Sequence, residues 1–319
     1  MSLLYHYGSN QKCFGILNDK AIRMSDIRKS NDYEELILLY PDIFEEIFML
    51  YEKSPFEFRY ENKNGGSALL ELIDSTRYMI DKQLESEEFT NFVVCFSELP
   101  DLLSQWRGYA GNGQGISIGF SKKLIQKKCS ESNSVFRLEK VEYITERERE
   151  EIVGKYAIEA IEMLCDLREW IVENMTHDDS SSETDNLIMF NFQGWIESVL
   201  IESLKYKKIG FKEEKEWRLF LNTQAYKNPK WVVGEVQEMK GPNGFSATIS
   251  LLRNKICFNI SENNISPYFS LKLSEFGANV VKEIWIGPKS QISSQDLHLY
   301  LEQNNYKDVK LLFSQTSFR

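Results

Sequence analysis

Lys212-Glu213-Glu214-Lys215-Glu216-Trp217-Arg218-Leu219-Phe220 is a run of carboxylates that switches into the alternation of a half-buried strand. A strand repeats every two residues, so Trp217, Leu219 and Leu221 share one face while Glu216, Arg218 and Phe220 share the other. A charged pair is thereby carried into a sheet beside an aromatic ring. Burial of a carboxylate is costly unless the group is paired or used. Glu216 and Arg218 therefore form either an edge-strand ion pair or part of a working site.

The elements around this strand set the fold class. Upstream, Asn186 to Lys207 reads as a helix that delivers the chain to it, preceded by an acidic, serine-rich surface loop (176–185) and a long helix from Glu146 to about Met175. Phe92-Val93-Val94-Cys95-Phe96-Ser97 is a continuous apolar run that predicts a fully buried central strand. Leu3 to Gly8 and Ala21 to Met24 read as strands, and Gly111 to Gly115 as a turn into the strand Ile116 to Phe120. A further strand is expected over Val135 to Tyr143. Helices are expected from Asp32 to about Tyr51, broken at Pro41, from Ser67 to Glu85, and as a short piece within Glu98 to Ala110. Strands follow at Trp231 to Val236, Ser246 to Leu252, Lys255 to Ile260, Phe269 to Leu273 and Val281 to Ile286, then a helix from Ser294 to Asn304 and a strand from Val309 to Phe313. Clusters of strands separated by clusters of helices predict an α+β fold with a mixed or antiparallel sheet. No repeat and no Pro- or Gly-rich linker divides the chain, so residues 1–319 are read as one α+β domain with a helical insertion at 144–207.

Composition narrows the function. The 319 residues are 42% hydrophobic, enough to bury a proper core. A net charge of −10 argues against a general duplex-binding surface, which needs a basic footprint. The basic runs Lys122 to Lys128 and Lys205 to Lys208 read first as solvated helix faces. Five widely spaced cysteines without a C-x-x-C pair, and three scattered histidines, point to reduced cytoplasmic thiols and no metal site. The opening Met1-Ser2-Leu3-Leu4-Tyr5 predicts no secretion signal, and no apolar run approaches the ~18 residues that span a bilayer.

A second polar constellation lies at the first strand, Leu4-Tyr5-His6-Tyr7-Gly8-Ser9. Imidazole can donate to a ribose hydroxyl, a tyrosine ring can stack on a base, and glycine admits close approach to the backbone. A satisfied core histidine is the plain alternative. Asn31-Asp32 fits a turn and helix cap. The glycines at 111–115 match neither dinucleotide nor triphosphate loop patterns, and no G-x-S-x-G elbow occurs.

Together with Cys95-Phe96-Ser97, Gln105-Trp106-Arg107-Gly108-Tyr109-Ala110, Gly115-Ile116-Ser117-Ile118-Gly119-Phe120, Glu214-Lys215-Glu216-Trp217-Arg218 and Ile284-Trp285-Ile286-Gly287-Pro288, these blocks resemble the bacterial domain of unknown function 2971 family. A more distant resemblance is to ADP-ribosyltransferases of the His-Tyr-Glu type, and it implies a core of that type and a reaction. It assigns His6 to the adenosine ribose of NAD and Glu216 to the nicotinamide ribose, with Tyr109 or Trp106 stacking on nicotinamide. Tyr7 and Ser9 complete the first-strand lining, and Tyr7 departs from the glycine common in such enzymes. Arg218 is expected to hold the carboxylate or a pyrophosphate oxygen, and Glu214 to orient an acceptor. NAD is then a substrate, the acceptor a protein or single-stranded nucleic acid, and the role that of a bacterial toxin or phage-defence effector. Two alternatives stand beside it: a non-catalytic ligand- or partner-binding module, and a metal-dependent nuclease built on Glu213-x-Lys215 with Asp101.

Overall fold

In the computed structural model, residues 2–27, 33–53, 68–85, 91–131, 134, 136–174, 181–221, 256–261 and 264–317 are described. Their order is β1 (Leu3–Gly8), α1 (Asn10–Asp19), β2 (Ala21–Asp26), α2 (Tyr33–Leu36), α3 (Tyr40–Lys53), α4 (Ala68–Glu85), β3 (Phe92–Ser97), α5 (Leu103–Gly108), β4 (Ile116–Ser121) and α6 (Lys122–Cys129). There follow β5 (Phe136–Lys140), β6 (Glu142–Ile144), α7 (Glu146–Asn174), α8 (Ser181–Ser203), β7 (Tyr206–Lys208), a 3-10 turn (Ile209–Glu214) and β8 (Glu216–Leu221). The chain closes with β9 (Ile256–Ser261), β10 (Asn264–Lys272), a 3-10 turn (Leu273–Phe276), β11 (Val281–Ile286), α9 (Ser294–Gln303) and β12 (Lys310–Phe313).

The α+β expectation holds. Among the described residues a ten-stranded mixed sheet forms the core, its pairs antiparallel except for β11–β12. Phe92–Ser97 is the central strand that its apolar run predicted, and its pairing explains the sheet's shape. Along one edge, β3 pairs with β8 from Val93↔Phe220 to Ser97↔Glu216. Its other edge is shared: β1 meets it at Tyr5↔Ser97, and β2 at Ser25↔Val93 and Asp26↔Phe92. The β1–β4–β11–β12 and β2–β10–β9 branches thus fork from β3 across Val94, Cys95 and Phe96, with Cys95 in the middle of the gap between the two ladders.

Alternation then sorts the core into two layers. Leu4, Val94, Phe96, Ile118, Phe120 and Leu219 face one layer, closed by α1, α6 and α9. Val93 and Phe220 face the other, beneath α3, α4, α7 and α8. Helix α3 shows why it forms there, because Tyr40, Ile43, Phe44, Ile47 and Tyr51 recur at helical spacing and all are buried.

Several boundaries differ from expectation for physical reasons. The interruption expected at Pro41 falls just before it, between α2, which ends at Leu36, and α3, which starts at Tyr40; Pro41 itself sits in the first turn of α3, where its missing N–H costs nothing. Only Leu103–Gly108 of the 98–110 stretch is helical, and 135–143 divides into β5 and β6. The supposed acidic loop already turns into α8 at Ser181, while 206–208 leaves the helix to pair with β6 in a small parallel sheet. Asn31-Asp32 and the strands expected at 231–236 and 246–252 lie outside the described residues.

Candidate functional site

Glu216 opens β8 and is buried at 5% exposure, with Arg218 at 0%. Arg218 reaches back two residues on the same face, its Nε donating to Glu216 Oε1 at 2.7 Å and its Nη2 to Oε2 at 3.3 Å. Its Nη1 donates to the Leu204 carbonyl at 3.0 Å, so Arg218 holds the carboxylate and is not extended toward a pyrophosphate. Lys207 Nζ, from β7, lies 3.1 Å from Glu216, 2.8 Å from Glu214 and 3.7 Å from Glu35 of α2. All five charged residues are at least nine-tenths buried, and their charges sum to −1.

Local backbone geometry produces this convergence. Glu214 and Glu216 do not lie on one strand face, because Ile209–Glu214 winds as a 3-10 turn and Lys215 takes a left-handed conformation, φ 44°. Both side chains nevertheless reach the same ammonium. A lysine in that region is uncommon and stores strain, which the surroundings oppose. The Lys215 carbonyl accepts from Glu98 N–H at 3.0 Å, and Glu216 N–H donates to Tyr143 Oη at 2.8 Å. Ser97 Oγ donates to the Glu214 carbonyl at 2.7 Å.

Burial on its own would raise the Glu216 pKa. The adjacent Arg218 and Lys207 charges, with hydrogen bonds from Arg218 and Cys95, outweigh it and hold the carboxyl below its ordinary value. Tyr143 is pushed up to about 12 chiefly by burial, with Glu216 and Glu214 adding to the effect.

His6 comes to the same neighbourhood from the other side of the sheet. Its ring meets Phe96 edge-on at 6.0 Å, whereas Glu216 lies on the face of the Cys95 side chain. The two do not line one cleft by mutual contact. They meet through Cys95, whose carbonyl lies 2.9 Å from His6 Nδ1 and whose thiol bonds the Glu216 carboxylate. That carbonyl sits at the fork between the β1 and β2 ladders, so the imidazole satisfies an acceptor at the gap. Burial lowers the His6 pKa, favouring the neutral ring; with Nδ1–H donating, Nε2 carries the lone pair.

The remaining expected residues divide. Tyr7 is buried, donates from Oη to the Leu99 carbonyl at 2.7 Å, accepts from Leu102 N–H at 3.0 Å, and packs on Trp106 at 4.8 Å. Trp106 is fully buried with Nε1 donating to Asp101, which removes it as a stacking platform; Tyr109, at 39% exposure, is the one of the pair that faces solvent. Ser9 caps α1, accepting from Lys12 N–H. For the nuclease alternative, Asp101 is taken up by four donors, and Glu213 and Lys215 are exposed. Among the described residues no group of three or more His, Cys, Asp or Glu side chains is arranged to hold a metal ion. No helix among them is long and apolar enough to cross a membrane.

Sequence reasoning missed Lys207 and Glu35. The basic run 205–208 suggests a solvated face, yet Lys207 is buried and only Lys208 beside it is exposed; the signal lies in the alternation of a short strand, buried at 207 and open at 208. Glu35 carried no local signal, since its role depends on where α2 docks.

No curated protein and no solved structure matches the chain. A protein-family model described as "Protein of unknown function (DUF2971)" does match residues 105–219, the stretch that runs from α5 to β8 and carries Tyr109, Lys207, Glu214, Glu216 and Arg218, so that over this part the chain is similar to that family.

Proposed function

We propose that the chain cleaves the bond between nicotinamide and ribose of NAD and transfers ADP-ribose to a macromolecular acceptor, with a core of ADP-ribosyltransferase-like type. The observation that supports this reading is the buried, ionised Glu216 held by Arg218 and Lys207; His6 lies on the opposite face of the sheet and lends it no support. Loss of nicotinamide leaves positive charge on the ribose carbon, and a carboxylate fixed before reaction stabilises it without reorganisation. The carbon–nitrogen bond breaks with its electron pair leaving on nicotinamide. An acceptor lone pair then forms the new bond, and Glu214 takes the acceptor's proton. Arg218 and Lys207 keep the carboxylate charged and in place. A toxin or defence role follows from NAD consumption.

The burial of the same groups favours a second reading, a non-catalytic module in which this centre is a charge junction. The two separate in one experiment: purified protein is incubated with NAD, and nicotinamide release is followed for wild type, Glu216→Gln and His6→Ala, with melting curves alongside. Release that falls at least a hundredfold in folded Glu216→Gln supports the enzyme. Absence of release from wild type with protein and with single-stranded nucleic-acid acceptors supports the module.

A further inference from the structure

Asp101 lies between β3 and α5 and is part-buried. Its carboxylate accepts from Trp106 Nε1 at 2.6 Å, Ser314 Oγ at 2.5 Å, Gln315 N–H at 2.7 Å and Thr316 Oγ1 at 2.8 Å. Three of these donors belong to the segment that follows β12, which enters the contact with Ser314 N–H bonded to the Ile286 carbonyl at 2.9 Å. A carboxylate with several donors is a strong, geometrically specific anchor.

The other end of this anchor leads toward Glu216. Residues 98–102 are held at Leu99 and Leu102 through the Tyr7 hydroxyl. Leu99 N–H also donates to Ser97 Oγ at 3.1 Å, and Ser97 Oγ bonds the Glu214 carbonyl. Glu98 N–H meets the Lys215 carbonyl directly. Residues 98–102 therefore buttress the strained Lys215 turn that turns Glu214 and Glu216 onto Lys207.

We infer that residues 314–316 act as a latch: docked on Asp101, they lock residues 98–102, and so hold the Glu214–Glu216 turn in its converged form. The device is a property of the fold and does not rest on the NAD reading. Burial alone would raise the Asp101 pKa, but its donors from residues 314–316 and Trp106 outweigh it and hold the carboxyl below its usual value, consistent with an ionised anchor.

Amide hydrogen exchange on the full chain tests it in Ser314→Ala/Thr316→Val, with Thr316→Val alone as a milder variant. The amides of Glu98, Leu99 and Leu102 are expected to exchange at least tenfold faster, and Glu216 to follow, while β4 and β11 stay as in wild type. Thr316→Ser, which keeps the hydroxyl, is expected to restore protection. Faster exchange confined to residues 314–317 overturns the latch. So does uniformly faster exchange across β4 and β11 in both Ser314→Ala/Thr316→Val and Thr316→Val, since the segment would then support the whole sheet rather than this turn. Nicotinamide release plays no part in the readout, so failure here is distinct from failure of the catalytic proposal.

Discussion

Lys207→Met is the sharpest perturbation of the charge centre. Methionine preserves much of the stem's volume but removes the ammonium that lies 2.8 Å from Glu214, 3.1 Å from Glu216 and 3.7 Å from Glu35. Arg218 remains to balance Glu216, so the uncompensated charge falls mainly on Glu214 and Glu35. Stripping one partner from a buried ion pair costs about 3–5 kcal/mol. In a chain of this size each kcal/mol lowers the melting temperature by about 2–4 °C, which predicts a fall of about 10 °C at pH 7. The pH dependence has a definite sign. In wild type the Glu216 pKa is lowered, so its stabilisation is present above the unfolded carboxyl pKa of about 4.3 and is lost as pH falls through the lower folded value. In the variant the carboxylates gain protons more readily, so the deficit should narrow as pH drops from 7 toward 5. Differential scanning calorimetry at both pH values checks this. A variant melting within 2 °C of wild type at pH 7, or a deficit that widens on acidification, would refute the charge-junction argument.

Gly115→Ala should destabilise by about 3 kcal/mol or more in urea unfolding, because the added Cβ would stand 2.1 Å from the Gly8 carbonyl oxygen and 2.9 Å from that of Ala110. Trp106→Ala should cost about 3–5 kcal/mol, since the ring is fully buried and the Asp101 carboxylate loses its indole donor. Glu197 has its pKa raised to about 7 by burial, so its stability contribution falls as pH rises from the unfolded value through about 7; Glu197→Gln should therefore stabilise by up to about 3 kcal/mol at pH 8 and by little at pH 4.5. Tyr109→Ala should leave the melting temperature within about 1 °C of wild type and raise the KM for NAD, since the ring is 39% exposed; an unchanged KM removes it from the site.

What could be read beforehand follows the range of the interaction. The alternation of Glu216 to Leu221, the buried run at 92–97 and the Ile116 strand are local periodicities, and each stands where the residues put it. The pairing of Glu216 with Arg218 was legible for the same reason, as an i, i+2 contact on one strand face. Other placements depended on distant elements. Nothing near Lys207 announces that a 3-10 turn and α2 will bring three carboxylates to it, and nothing in 4–9 announces that β1 and β2 will divide one strand edge and leave His6 at the gap. Trp106 and Tyr109 are three residues apart and similar as sequence, and only the helical turn between them decides that one is core and the other surface.

The divided edge of β3 also bears on how the chain reaches its native state. That strand must recruit Tyr5, Ser25 and the segment around Arg218, partners drawn from about 70 to more than 120 positions away along the chain. Loop closure of such length is unfavourable until the contacts reward it, so topology alone sets a slow assembly rate. Substitutions in the middle of β3 should slow refolding more than those in α9, which docks onto a sheet that has already formed.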